Sequence, residues 1–152
     1  MKKQKGFSLI ELLIVVAIIL IIAAIAIPNL IKSKMAANES SAVGSLRTIT
    51  TANIAYSTAC PAVGFSATLL DLSAGTGCPA AKDEIDNTLA TGKKSGYSFT
   101  YSYTAGPPST QFSTQADPQT TSSGTRHFFV DESGVIRANS TAAATNADNA
   151  LQ

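Results

Sequence analysis

The 152-residue sequence holds one histidine, His127, two cysteines, Cys60 and Cys78, and a charged fraction of only 14%. Two cysteines and one distant histidine are too few ligands for a metal centre. As a catalytic base His127 would need an oriented nucleophile and a third group, and nothing around Arg126-His127-Phe128 supplies them. No catalytic residue, metal or cofactor is expected, and the chain reads as a non-enzyme. A formal charge of +1 gives no strongly basic surface, so no nucleic-acid partner is expected either. Gly92-Lys93-Lys94-Ser95 fails as a phosphate loop: Asn87 stands where a glycine is required, and Lys94 takes the hydroxyl position. A turn ahead of a strand accounts for it better.

What is present is concentrated at the N-terminus. From Leu12 to Ile27 there are sixteen residues and none is polar. Extended back to Phe7, the run is interrupted only by Ser8 and Glu11. As a helix its twenty-one residues rise roughly 31 Å, the hydrocarbon thickness of a bilayer. Lys2, Lys3 and Lys5 precede it and Lys32 and Lys34 follow, a modest bias that places the basic head in the cytoplasm. No small-residue cleavage signal follows the apolar run, so any cut falls at Gly6 and leaves the run as the new N-terminus. Losing the three leader lysines leaves eight basic side chains against ten acidic ones, a balance of −2.

Glu11 is a carboxylate in an apolar run, which costs a few kcal/mol at mid-membrane, less near an end, and marks a functional-site candidate. The alternative is that it merely reaches the cytoplasmic interface. A cut after Gly6 would expose the Phe7 amine. An ammonium about 4 Å from the carboxylate at an effective dielectric near 20 attracts it by ~4 kcal/mol, comparable to the penalty of immersion. The amine of a neighbouring copy approaches more freely than the chain's own, which favours side-by-side assembly of helices.

Gly6-Phe7-Ser8-Leu9-Ile10-Glu11, the apolar run and Pro28 together resemble the N-terminus of short-leader type IV pilins and of the related type II secretion pseudopilins. The resemblance is specific from about Lys5 to Asn29 and continues only as architecture beyond it. It implies cleavage between Gly6 and Phe7 by a prepilin peptidase and N-methylation of Phe7. It also implies assembly roles for Phe7, Glu11 and Pro28, with loss of helical order near Pro28 on assembly. The glycine- and aspartate-rich calcium loop typical of major pseudopilins is not found near the C-terminus, which counts against that branch. Both cysteines lie before the expected sheet, so the resemblance assigns no disulfide-bounded C-terminal loop.

Pro28 lacks an N–H and leaves the Ala24 carbonyl without its helical partner, so a kink or local loosening is expected. The helix continues through a polar stretch, Lys32 to Ser41. Ala42/Val43, Leu46, Ile49/Thr50 and Asn53/Ile54 then recur at helical spacing as a stripe for packing, until Cys60-Pro61 closes the element. The whole helix is expected to span about fifty residues. In an oxidising compartment Cys60 and Cys78 would close a loop worth about 3 kcal/mol; two buried free thiols are the alternative. Short helical turns are expected at residues 67–72 and 81–90. Tyr97 to Thr104 alternates aromatic with small polar residues, as a half-buried strand does. Gln111 to Ala116 can pair back, and Arg126 to Asp131 with Val135 to Arg137 form a hairpin turned at Gly134. The aromatic row at Tyr97, Phe99, Tyr101 and Tyr103 is sheet core rather than a stacking platform for single strands. Residues 138–151, rich in Ala, Asn and Thr, are expected to be loosely ordered. Asn38-Glu39-Ser40 and Asn139-Ser140-Thr141 match the glycosylation acceptor pattern, which recurs by chance.

The expected fold is therefore α+β: a long N-terminal helix on a roughly four-stranded antiparallel sheet, as in type IV pilins. The expected organisation is a leader, 1–6; a hydrophobic membrane and polymerisation helix, 7–34; and a head, 35–152. Within the head come the disulfide-closed connection 59–96, the sheet 97–137 and the tail 138–152. The expected function is a structural subunit, inserted in the inner membrane as a single-pass precursor and then polymerised into a homo-oligomeric pilus at the cell surface. Its partners would be other copies, prepilin peptidase, the inner-membrane assembly machinery and, before assembly, lipid. The alternatives are a secretion pseudopilin and a signal-anchored periplasmic binding module that never polymerises.

Overall fold

The computed structural model describes residues 7–151. They divide into two compact units, one ending at Lys34 and one beginning at Met35. Helix α1, Leu9–Ala59, contributes to both and carries Pro28 inside it. In the first unit the helix stands with its apolar side chains exposed.

In the second unit, the part of α1 from Met35 onward buries a stripe at Glu39, Ala42, Leu46, Ile49, Thr50, Asn53 and Tyr56. The three- and four-residue spacing puts these on one face, where they meet the inner face of an antiparallel sheet. Ile54, which the spacing assigned to the stripe, is exposed. Asn53 takes the buried place beside it because its amide oxygen accepts hydrogen bonds from the Ser66 N–H, the Ser66 hydroxyl and the Tyr101 hydroxyl, at 2.9–3.2 Å.

The sheet has five strands in the order β1-β2-β3-β4-β5: Lys93–Lys94, Tyr97–Tyr103, Phe112–Pro118, His127–Asp131 and Arg137–Asn139. Every pairing is antiparallel. The strand missing from the sequence reading is β1. Lys93 and Lys94 pair with Ser98 and Tyr97 across a two-residue turn, Ser95-Gly96, in which both residues have positive φ. Tyr97, Phe99, Ala116, Phe128 and Val130 form the core face with Ala42, Leu46 and Ile49. The aromatic row is thus core at Tyr97 and Phe99, and becomes exposed at Tyr103. Gly134, at φ 73°, closes the last hairpin by donating its N–H to Asp131 O.

Between α1 and the sheet lie α2 (Leu69–Ala74), a single 3-10 turn at Pro79–Ala81 and α3 (Asn87–Ala90). The helical turn expected over residues 81–90 is broken because Asp83 adopts positive φ and Asp86 caps α3 by accepting the Leu89 N–H. Residues 138–151 are ordered, contrary to the expectation. Ala138 donates to Asn149 O, Leu151 donates to Ile136 O, and the fully buried Ala144 accepts from Gln115 Nε2. The segment is organised by side-chain oxygens of Asn139 and Asp148 that accept backbone N–H groups of Thr141, Ala142 and Thr145. Such turn chemistry leaves no hydrophobic period to recognise.

Candidate functional site

The helix start is built from Phe7, Ser8 and Glu11. Ser8 stands immediately before α1, its carbonyl accepting the Leu12 N–H at 3.2 Å. Its own N–H donates to Glu11 Oε2 at 2.9 Å. That reach back from the third helical position is one half of a capping box, and it satisfies an N–H that the helix ladder leaves without a partner. The Ser-x-x-Glu spacing is the sequence signature of that bond. Phe7 and Glu11 are both exposed. A carboxylate has about four acceptor positions, so the Ser8 bond leaves most of the capacity of Glu11 free. Gly6, with Lys2, Lys3 and Lys5 of the expected leader, lies outside the described residues.

From Phe7 to Ile31, seventeen large apolar side chains are exposed, and α1 is long and apolar enough to cross a membrane. At about 2 kcal/mol per buried aliphatic side chain, covering them is worth on the order of 30 kcal/mol. A contiguous exposed apolar surface of this size marks a place of contact with lipid or other protein. Pro28 is exposed within α1.

Cys60 and Cys78 form a disulfide, with their Cα atoms 5.9 Å apart. Cys60 directly follows the last residue of α1, and the bond ties that end to the fully buried Cys78. Tyr56, one turn earlier, supports the same closure by donating its hydroxyl to Thr76 O at 2.8 Å. The bond lies well apart in sequence from Phe7, Glu11 and Pro28, and it stabilises the head rather than forming a site with them.

His127 Nδ1 lies 2.6 Å from Asp117 Oδ1, a pairing that follows from their adjacent places on β4 and β3. Among the described residues the His127 ring hydrogen-bonds no side chain besides Asp117. Nor does any group of three or more His, Cys, Asp or Glu there stand ready for a metal ion. Both glycosylation-pattern asparagines use their amide nitrogens internally: Asn38 donates to Ser123 O and Asn139 to Asp148 Oδ1.

Glu39 was missed by the sequence reading, which placed it in the polar stretch leaving the membrane. Only 8% exposed, it accepts four hydrogen bonds from the β3–β4 connection. Oε1 takes the N–H and hydroxyl of Thr125 and the N–H of Arg126, and Oε2 takes Arg126 Nε at 2.8 Å. These partners lie more than eighty residues away, so no local pattern announces them.

A family model described as the prokaryotic N-terminal methylation motif matches residues 1–27. The type IV wide pilus major component PilA4 of Thermus thermophilus is 59% identical over 39 residues, 26% of this chain and 30% of that protein. The type IV major pilin protein PilA of Myxococcus xanthus is 50% identical over 54 residues, 36% of this chain and 24% of that protein. The matched stretch thus spans under a third of either relative's length. No solved structure matches the chain.

Proposed function

We propose that this type IV pilin-like chain is a prepilin, a structural subunit and not an enzyme, that polymerises through its N-terminal helix into a pilus filament. In this reading prepilin peptidase removes residues 1–6 in the inner membrane, and Phe7 becomes the N-methylated terminus. Assembly machinery then transfers subunits from lipid into the fibre at the cell surface. The observation that carries the proposal is the exposed apolar part of α1, up to Ile31, which bears one carboxylate, Glu11. Apolar packing supplies most of the free energy of assembly but no register, because Ile, Leu and Val stripes slide on one another at little cost. Glu11 supplies the register: desolvated among neighbours it needs a counter-charge, and the freed Phe7 ammonium of an adjoining subunit provides it.

The capping bond from Ser8 is compatible with this. It holds the Glu11 carboxylate at the helix start while leaving acceptor positions for the incoming amine. Pro28 removes one rung of the helix ladder and makes the arm easier to reshape during packing.

The test is Glu11→Ala. The variant should insert and be cleaved at the normal rate, since neither step uses the carboxylate in this account, yet the yield of sheared fibres should fall by about tenfold or more, corresponding to a pairing energy of at least 1.4 kcal/mol. Normal fibre yield would remove charge pairing from the mechanism.

A further inference from the structure

The head wraps two loops around residues 38–41 of α1, at the start of a stretch poorly able to hold itself as a helix. Between residues 38 and 44 stand Asn38, Ser40, Ser41 and Gly44, all poor helix formers. Asn and Ser side chains compete for backbone hydrogen bonds, and glycine loses the most entropy on ordering. A stretch whose local preference opposes its folded state is held by something else. Here the holding contacts are explicit. Glu39 takes its four hydrogen bonds from Thr125 and Arg126, Asn38 Nδ2 donates to Ser123 O at 2.9 Å, and the Ser41 hydroxyl donates to that of Ser95 at 2.9 Å. Both loops are themselves anchored. Gln119 N–H donates to Gly96 O and the Tyr97 hydroxyl donates to Arg126 O at 2.8 Å. Gly124 lets Tyr97 in close, since a Cβ there would collide with its hydroxyl.

The geometry points to a clasp: the Glu39 carboxylate, closed by Thr125 and Arg126, keeps residues 38–44 helical, and opening it lets that segment unwind while the rest of the head stays folded. Glu39 is thus a positioning residue for the first helical turns of the head. Ala42 is buried too but adds only one methyl to the core, whereas from Leu46 onward α1 is fixed by the larger buried Leu46, Ile49, Asn53 and Tyr56, so unwinding stops there. The inference rests on the head alone and stands apart from the filament reading.

Hydrogen exchange with residue-level resolution, on the full chain in detergent micelles, tests it. In the unaltered chain the amides of residues 42–46 should be protected. Glu39→Ala should speed their exchange, and that of residues 123–126, by roughly tenfold or more, leaving residues 50–56 and β2–β3 unchanged. Glu39→Gln, which keeps acceptor oxygen but gives up the charge, should show the same pattern more weakly. Adding Gly44→Ala to Glu39→Ala should slow exchange at residues 42–46 again by roughly two- to fivefold, because the added methyl enters open space and strengthens only the helix. Unchanged exchange in Glu39→Ala overturns the clasp. So does acceleration across the whole head in both Glu39 variants, or failure of Gly44→Ala to slow exchange at residues 42–46 again.

Discussion

Glu11 and Glu39 lie on one helix and differ in what surrounds them. Glu11 accepts a single backbone N–H and is otherwise exposed. Glu39 is enclosed, and burial by itself pushes its carboxyl up. The Thr125 N–H, the Arg126 guanidinium and the Thr125 hydroxyl outweigh that and hold it below the usual 4.5. Asp86 is held down in the same sense, first by Lys94 Nζ at 2.7 Å and then by the Leu89 N–H. A group whose folded-state value lies below its unfolded one favours the fold in its charged form. Its contribution is full above the unfolded value and is lost as pH falls through the folded one. The melting temperature of the head should therefore be level from about pH 7 to 5 and drop below about pH 4. Glu39→Gln should lower the plateau and flatten the drop, as followed by circular dichroism; an unaltered acid limb would exclude Glu39 as a source. The opposite limb belongs to Tyr97 and Tyr101, both pushed up to about 12 chiefly by burial. Their neutral forms favour the fold, so this stability is complete below the usual 10 and is lost as pH rises toward 12. In an alkaline titration of phenolate absorbance these two should ionise late and together with unfolding; ionisation near 10 in the folded chain would contradict the burial.

Elements with a sustained apolar period were legible; those too short to alternate, ordered by turn chemistry or held by distant polar partners were not. Helix α1 showed itself through its apolar run and the stripe from Ala42 to Asn53. Strands β2 to β4 showed themselves through alternation and turn residues. Two-residue β1 has too few positions to alternate. The order in residues 138–151 comes from Asn139 and Asp148 capping nearby N–H groups, with little apolar burial besides Ala144. The site divides the same way: Phe7, Glu11 and Pro28 stand out as departures from an apolar pattern, whereas Glu39 acquires its role from residues 125 and 126. The disulfide is an element-level device, fastening the end of α1 to the loop that ends at Cys78. Cys60→Ser with Cys78→Ser should cost about 3 kcal/mol of unfolding free energy, by the loop-closure estimate for an eighteen-residue separation. Urea unfolding of the variant measures it. A cost below about 1 kcal/mol would mean that Tyr56 and the core around Leu72 already hold the loop.

At the scale of the whole molecule, the chain combines a head that satisfies its own apolar surface with an arm that does not. The head buries Leu46, Ile49, Tyr97, Phe128 and Val130 internally, whereas the arm exposes nearly every large side chain from Phe7 to Ile31. A surface worth on the order of 30 kcal/mol when covered is compatible with two environments, a bilayer and a bundle of like helices. In the proposed function the arm passes from the first to the second, with a newly made Phe7 amine meeting Glu11 of an adjoining subunit. The most direct measurement is intact-mass and N-terminal mass spectrometry of the protein taken from sheared surface fibres. The expected result is a chain that begins at N-methylated Phe7. Fibres built from chains that still carry Met1 to Gly6, or a processed chain that never enters fibres, would contradict it.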